Sequence, residues 1–133
     1  MGITVYLTQH DGGAGPAWRL PEGITVESFD ENELDHRGRL DLDQAWRMMD
    51  LGFAELGQPY VFEFEQGDAT WSVEEVQRLA NRLVLIAPDR MAALVEEIRG
   101  DDWGEYVRPY YEQFRRFVCE SAAACFEIEV VYN

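Results

Sequence analysis

Hydrophobic and polar positions alternate from the start of the chain. Ile3, Val5 and Leu7 share one side and Thr4, Tyr6 and Thr8 the other, which predicts a half-buried strand. Residues 10–18 (HDGGAGPAW) read as a Gly/Pro-rich loop, and residues 21–38 hold no sustained period beyond a short extended stretch at 24–29. Leu42, Ala45, Trp46, Met49, Phe53 and Leu56 then recur at three-and-four spacing, the signature of one buried helix face. Asp41 is placed to cap that helix, Gln44 to complete a capping box, and Gly57 to end it in a left-handed turn. Residues 60–66 return to alternation, with Tyr60, Phe62 and Phe64 facing one way and Val61, Glu63 and Glu65 the other.

A second helix is predicted after Ser72, whose hydroxyl can cap while Glu75 reaches back and Trp71 staples onto Val76. Its face is Val73, Val76, Leu79, Ala80 and Leu83. Pro88 forces a new start, and Met91, Leu94, Val95 and Ile98 carry a third helix that Gly100 ends. Asp102 and Glu105 box the start of the longest element. Its apolar face runs through Trp103, Tyr106, Val107, Tyr110, Tyr111, Phe114, Phe117, Val118, Ala122 and Cys125. Pro109 lies inside it, which predicts a kink or a short turn before the main helix. Residues 126–132 close the chain as a strand, with Phe126, Ile128, Val130 and Tyr132 set against Glu127, Glu129 and Val131.

Strands that alternate belong to a sheet covered on one face, whereas parallel strands wrapped on both faces read as continuous apolar runs. The expected fold is therefore a two-layer α+β domain. It has a small, mostly antiparallel or mixed sheet of at least three strands, covered on one face by about four helices. No repeat, linker or low-complexity tract divides the chain, so residues 1–133 are expected to form one domain.

Composition narrows the function classes. Hydrophobic residues are 47% and aromatics 13% of the chain, too much apolar material for a disordered acidic tail. The net charge is −15, from 26 acids against 11 cations, and every cation is arginine. Such a balance opposes nucleic-acid binding, which needs cations to displace phosphate counterions, and it permits a basic protein partner. No apolar run reaches the roughly 20 residues of a membrane span, and no signal peptide opens the chain, so a cytoplasmic protein without a membrane partner is expected. Cys119 and Cys125 lie too far apart along a continuous helix to pair, which predicts reduced thiols.

Candidate chemistry is sparse. Gly12, Gly13 and Gly15 could cradle a phosphate, but no Gly-Lys-Ser/Thr follows them, and a surface loop is the better reading. Residues 30–41 fail the calcium-loop template, with Leu34, Asp35 and Asp41 at positions that demand a ligand, a glycine and a glutamate. His10 and His36 are the only histidines, too few for a multi-histidine zinc site; no metal and no cofactor are expected. Two acidic groups remain as candidate binding surfaces. One is the loop with Asp30, Glu31, Glu33 and Asp35; the other is a sheet face with Glu63 and Glu65 beside Glu127 and Glu129. Were those strands neighbours, four carboxylates would share one surface, and their repulsion would raise some pKa values or invite a cation or an arginine-rich partner.

Two segments carry a family resemblance. Leu40-Asp41-Leu42-Asp43-Gln44-Ala45-Trp46 resembles the opening helix of the YfbM-like family of bacterial domains. The stretch from Tyr110-Tyr111-Glu112-Gln113-Phe114-Arg115-Arg116-Phe117 through Ala122-Ala123 to the closing strand is similar to that family's last helix and strand, and residues 1–7 to its first strand. The likeness covers about half the chain. It implies a small α+β fold and no known activity, with no catalytic residues to carry over. The favoured functional reading is a non-enzymatic, acidic, cytoplasmic interaction or accessory domain that holds a basic partner, as small immunity or inhibitor proteins do. One alternative is a small-molecule binder or enzyme with a pocket between the sheet and the helices of Trp46 and Tyr110, using Glu63, His36 or Arg47. Another is a subunit of an obligate homo-oligomer, joined through Trp18 and Trp103 as exposed aromatics.

Overall fold

A computed structural model describes residues 2–8, 18–24, 38–62 and 68–132 of the chain. The described residues form β1 (Ile3–Thr8), β2 (Arg39–Asp43), α1 (Ala45–Glu55), β3 (Ala69–Trp71), α2 (Val73–Leu83), α3 (Pro88–Arg99), α4 (Asp101–Ala123) and β4 (Glu127–Tyr132), in that order. The four strands make one sheet in the order β2-β1-β4-β3, antiparallel at every pairing. The first and last strands lie side by side at its centre, with Tyr6 opposite Arg39 on one side and Glu129 on the other. The α+β class and the antiparallel sheet match the expectation from alternation.

One face of the sheet carries the core. Ile3, Val5, Leu42, Trp71, Ile128 and Val130 are buried together with the inner faces of all four helices. On the opposite face Thr4 is fully buried as well, and its hydroxyl donates to Asp41 Oδ1 at 2.6 Å. Phe62 stands at the centre of an aromatic cluster, with ring centroids 5.0 Å from Phe114, 5.9 Å from Trp71 and 6.4 Å from Trp46.

Asp41 does not cap α1. It lies in β2, paired with Thr4 of β1, and its carboxylate accepts from Thr4 and Arg39. Leu40 and Leu42 fit helical spacing and strand alternation equally, and pairing with β1 decides between them. The helix therefore starts only at Ala45, after Asp43 turns the chain with φ 49°. Its end follows expectation. Gly57 has φ 73°, its N–H donates to the Ala54 carbonyl, and the Gln58 N–H donates to the Phe53 carbonyl, the paired bonds of a Schellman motif.

Ser72 caps α2 through the predicted box, Pro88 opens α3 in its first turn, and Gly100 follows its end. Asp102 and Glu105 do not box α4, whose N-cap is Gly100 without a side-chain cap. Nor does Pro109 interrupt the helix. It is exposed, and the carbonyl deprived of its N–H belongs to the exposed Glu105, on the solvent side of the helix, where its loss costs little and α4 continues. Residues 60–62, the described part of the predicted 60–66 strand, are irregular, and the strand paired with β4 at that edge is β3.

Candidate functional site

Of the acidic residues proposed from sequence, Glu127 and Glu129 are described. They are half-buried on the sheet face opposite Ile128 and Val130, with Glu129 opposite Tyr6 and Thr70. Asp30, Glu31, Glu33, Asp35, Glu63 and Glu65 lie outside the described residues, as do His10, His36 and the Gly12, Gly13 and Gly15 loop. Among the described residues no group of three or more His, Cys, Asp or Glu could hold a metal ion. No helix of the described residues is long and apolar enough to cross a membrane.

A different acidic group emerges where α3 meets α4. The two helices are joined by Gly100 alone, whose φ of 104° turns the chain back. Gly104 lets them approach closely, since a Cβ there would stand 2.8 Å from the Ala92 carbonyl oxygen. This fold brings the last turn of α3 against the first turn of α4. Glu96 and Asp101 face each other closely enough to share a hydrogen bond, with Glu97 and Glu105 adding charge. The Asp101 hydrogen bond first, then its charge, hold the Glu96 carboxyl above its ordinary value. Asp102 sits in the same first turn of α4. Trp103 follows it, 41% exposed, and Ile98 is also exposed, although helical spacing assigned both to buried faces. The Trp103 ring packs edge-on against Tyr106 at 5.7 Å, and Tyr106 donates its hydroxyl to Asp43 Oδ2 at 2.9 Å. Burial first, then that bond to Asp43, push the Tyr106 hydroxyl up to about 12.

Beside this junction lies an open groove of about 590 Å³. Trp46, Tyr60, Trp103 and Tyr132 form its aromatic walls, and Met48 and Leu51 of α1 supply aliphatic surface. Asp50, buried at the groove edge, accepts from the backbone N–H groups of Val61 (2.7 Å) and Phe62 (3.2 Å), while the Tyr132 hydroxyl donates to the Phe62 carbonyl at 2.5 Å. Those bonds pin the 60–62 segment to α1 and β4 and hold Tyr60 over the groove, 45% exposed. Arg47 stacks on Trp46, its guanidinium carbon 5.1 Å from the ring centroid, and Arg99 lines the side shared with the junction. The sequence had placed a pocket near Trp46 and Arg47; Tyr110 is not part of the lining.

The remaining polar groups are structural. Glu120 is fully buried in α4 and accepts from Arg116 Nε at 2.9 Å one turn earlier; nothing in its spacing distinguished it from a surface acid. Tyr111 donates to the Ile86 carbonyl, and Arg115 donates to the carbonyls of Leu83 and Val84, which closes the end of α2. Cys119 is buried, and burial first pushes its thiol up to about 12, so it is inert at neutral pH. Cys125 does not continue the apolar face of α4 but lies beyond it at φ 58°, half-buried; neither cysteine is in a disulfide. Trp18 donates to Asn81 Oδ1 at 2.7 Å and packs on the core, which leaves Trp103 as the exposed one of the two tryptophans proposed for self-association. Comparison of the chain with protein-family models, with curated proteins and with solved structures yields no match.

Proposed function

We propose that the chain is a YfbM-like, non-enzymatic accessory domain that works in the cytoplasm by holding a basic protein partner. The surface that holds it is the α3–α4 junction. The observation that carries this reading is the position of Glu96 and Glu97. Acids in the first turn of a helix are favoured by its dipole, which accounts for Asp101 and Asp102 on structural grounds alone. Glu96 and Glu97 stand at the other end of α3, where negative charge is disfavoured, and Glu96 faces Asp101 and Glu105 across Gly100. A crowded group of like charges that lifts one of its own pKa values costs the fold stability, and a cationic partner relieves that cost. Trp103 and Ile98 beside it offer the exposed apolar anchors that concentrate binding energy at protein interfaces.

The test is capture on the immobilised full chain. A basic protein retained from native lysate at low salt, released by about 0.5 M salt, and lost on Glu97→Lys with Asp102→Lys supports the reading. Equal retention by the double variant removes it.

A further inference from the structure

The groove beside the junction has a chemistry unlike the rest of this acidic chain. Among the described residues its ionised lining is Arg47, Arg99 and Asp50, and the Asp50 carboxylate is already engaged by the Val61 and Phe62 N–H groups. With 26 acids against 11 arginines, guanidinium groups have carboxylates to pair with, and Arg39, Arg108 and Arg116 do so. Arg47 and Arg99 form no ion pair or hydrogen bond among the described residues, although both line the same groove. Arg19, Arg78 and Arg90 are likewise without one, but they do not line it. Arg47 also lies over the Trp46 ring, 5.1 Å from its centroid, and a guanidinium offers the planar fork of N–H donors that can bind a carboxylate through two parallel hydrogen bonds.

From this we infer that the groove binds a small aromatic monocarboxylate, its ring between the Tyr60 and Trp103 walls and its carboxylate on Arg47 and Arg99. A volume of about 590 Å³ falls within the range of small-molecule pockets and exceeds what one inorganic anion fills. Four aromatic side chains supply flat faces for a flat ligand. The single negative charge follows from the field of the whole molecule. A net charge of −15, with the junction acids next to the groove, repels a dianion about twice as strongly as a monoanion, which selects against phosphate esters. The site shares its Trp103 wall with the basic-partner surface but takes its anion on Arg47, away from the junction carboxylates, so Arg47→Gln tests this inference and Glu97→Lys with Asp102→Lys tests that surface.

The probe is indole-3-propionate, titrated into the full chain by calorimetry and by ¹H–¹⁵N NMR, with the neutral indole-3-propanamide as its uncharged counterpart. The acid is expected to bind with a dissociation constant on the order of 0.1–1 mM and to shift the Trp46 and Trp103 indole signals. Affinity is expected to fall about tenfold or more for the amide and for Arg47→Gln, and to stay unchanged for Arg90→Gln, which alters a cation outside the groove. Equal affinity for acid and amide overturns the inference. So does an Arg47→Gln protein that is folded by NMR and binds as the parent does, or no binding at 10 mM probe, on the order of ten times the weakest expected constant.

Discussion

Asp50 shows how much one buried side chain can hold. Its carboxylate sits on α1, 5% exposed, and accepts the N–H groups of Val61 and Phe62, so the segment that presents Tyr60 to the groove depends on it. Asp50→Ala leaves two backbone donors without that acceptor and is expected to lose about 2–4 kcal/mol in urea unfolding; a loss below about 1 kcal/mol would mean the segment is held mainly by Tyr132. Glu96 makes a prediction of opposite sign. Its folded-state pKa lies above the ordinary 4.5, so it destabilises the fold at neutral pH, and the penalty fades as pH falls through the folded value to 4.5. Glu96→Gln is therefore expected to raise the melting temperature at pH 7 and to change it little at pH 4, measured by thermal scans across that range. Neither residue was legible from sequence. Asp50 interrupts an apolar face between Met49 and Leu51 without a motif, and the conflict at Glu96 exists only because a one-residue turn sets two helix ends against each other.

The helices were legible where local chemistry settles the matter alone. The Ser72 box, Pro88 and Gly100 acted where they stood, because a cap or a ring constraint needs no distant partner. Strands β2 and β3 were not. The Leu40-Asp41-Leu42 pattern serves either period, and three residues of β3 are too few to show one; both are fixed by pairing with β1 and β4 across the chain. Two glycines separate local from tertiary constraint. Gly57→Ala meets no neighbour within 4 Å but must hold φ near 73°, and is expected to cost about 1 kcal/mol. Gly104→Ala gains helix propensity, yet its Cβ would meet the Ala92 carbonyl oxygen at 2.8 Å and force α3 from α4. A net loss of about 1–3 kcal/mol is expected, read by chemical denaturation. A gain would show that the two helices can part freely.

At the scale of the whole molecule, alternation gave the α+β sheet with helices on its core face, because one-sided burial leaves a period of two in any strand long enough to show it. The place of the functional surface was not legible in the same way. The sequence pointed to the 30–35 loop and to a sheet face of Glu63, Glu65, Glu127 and Glu129, and it read Asp102 and Glu105, beside Gly100, as a helix-capping box. Folding set Glu96 against Asp101 and Glu105 and left Trp103 and Ile98 exposed beside them, which only the packing of α3 on α4 could determine. The net charge of −15 thus has a local expression at this junction. The most direct test is an NMR titration of the ¹⁵N-labelled full chain with a short arginine-rich peptide at low salt, repeated with Glu97→Lys and Asp102→Lys. The account predicts that shifts concentrate on residues 96–105 and the Trp103 indole, and that the double variant abolishes them. Shifts spread evenly over the acidic residues, Glu127 and Glu129 included, and merely reduced in proportion to charge in the variant, would contradict it.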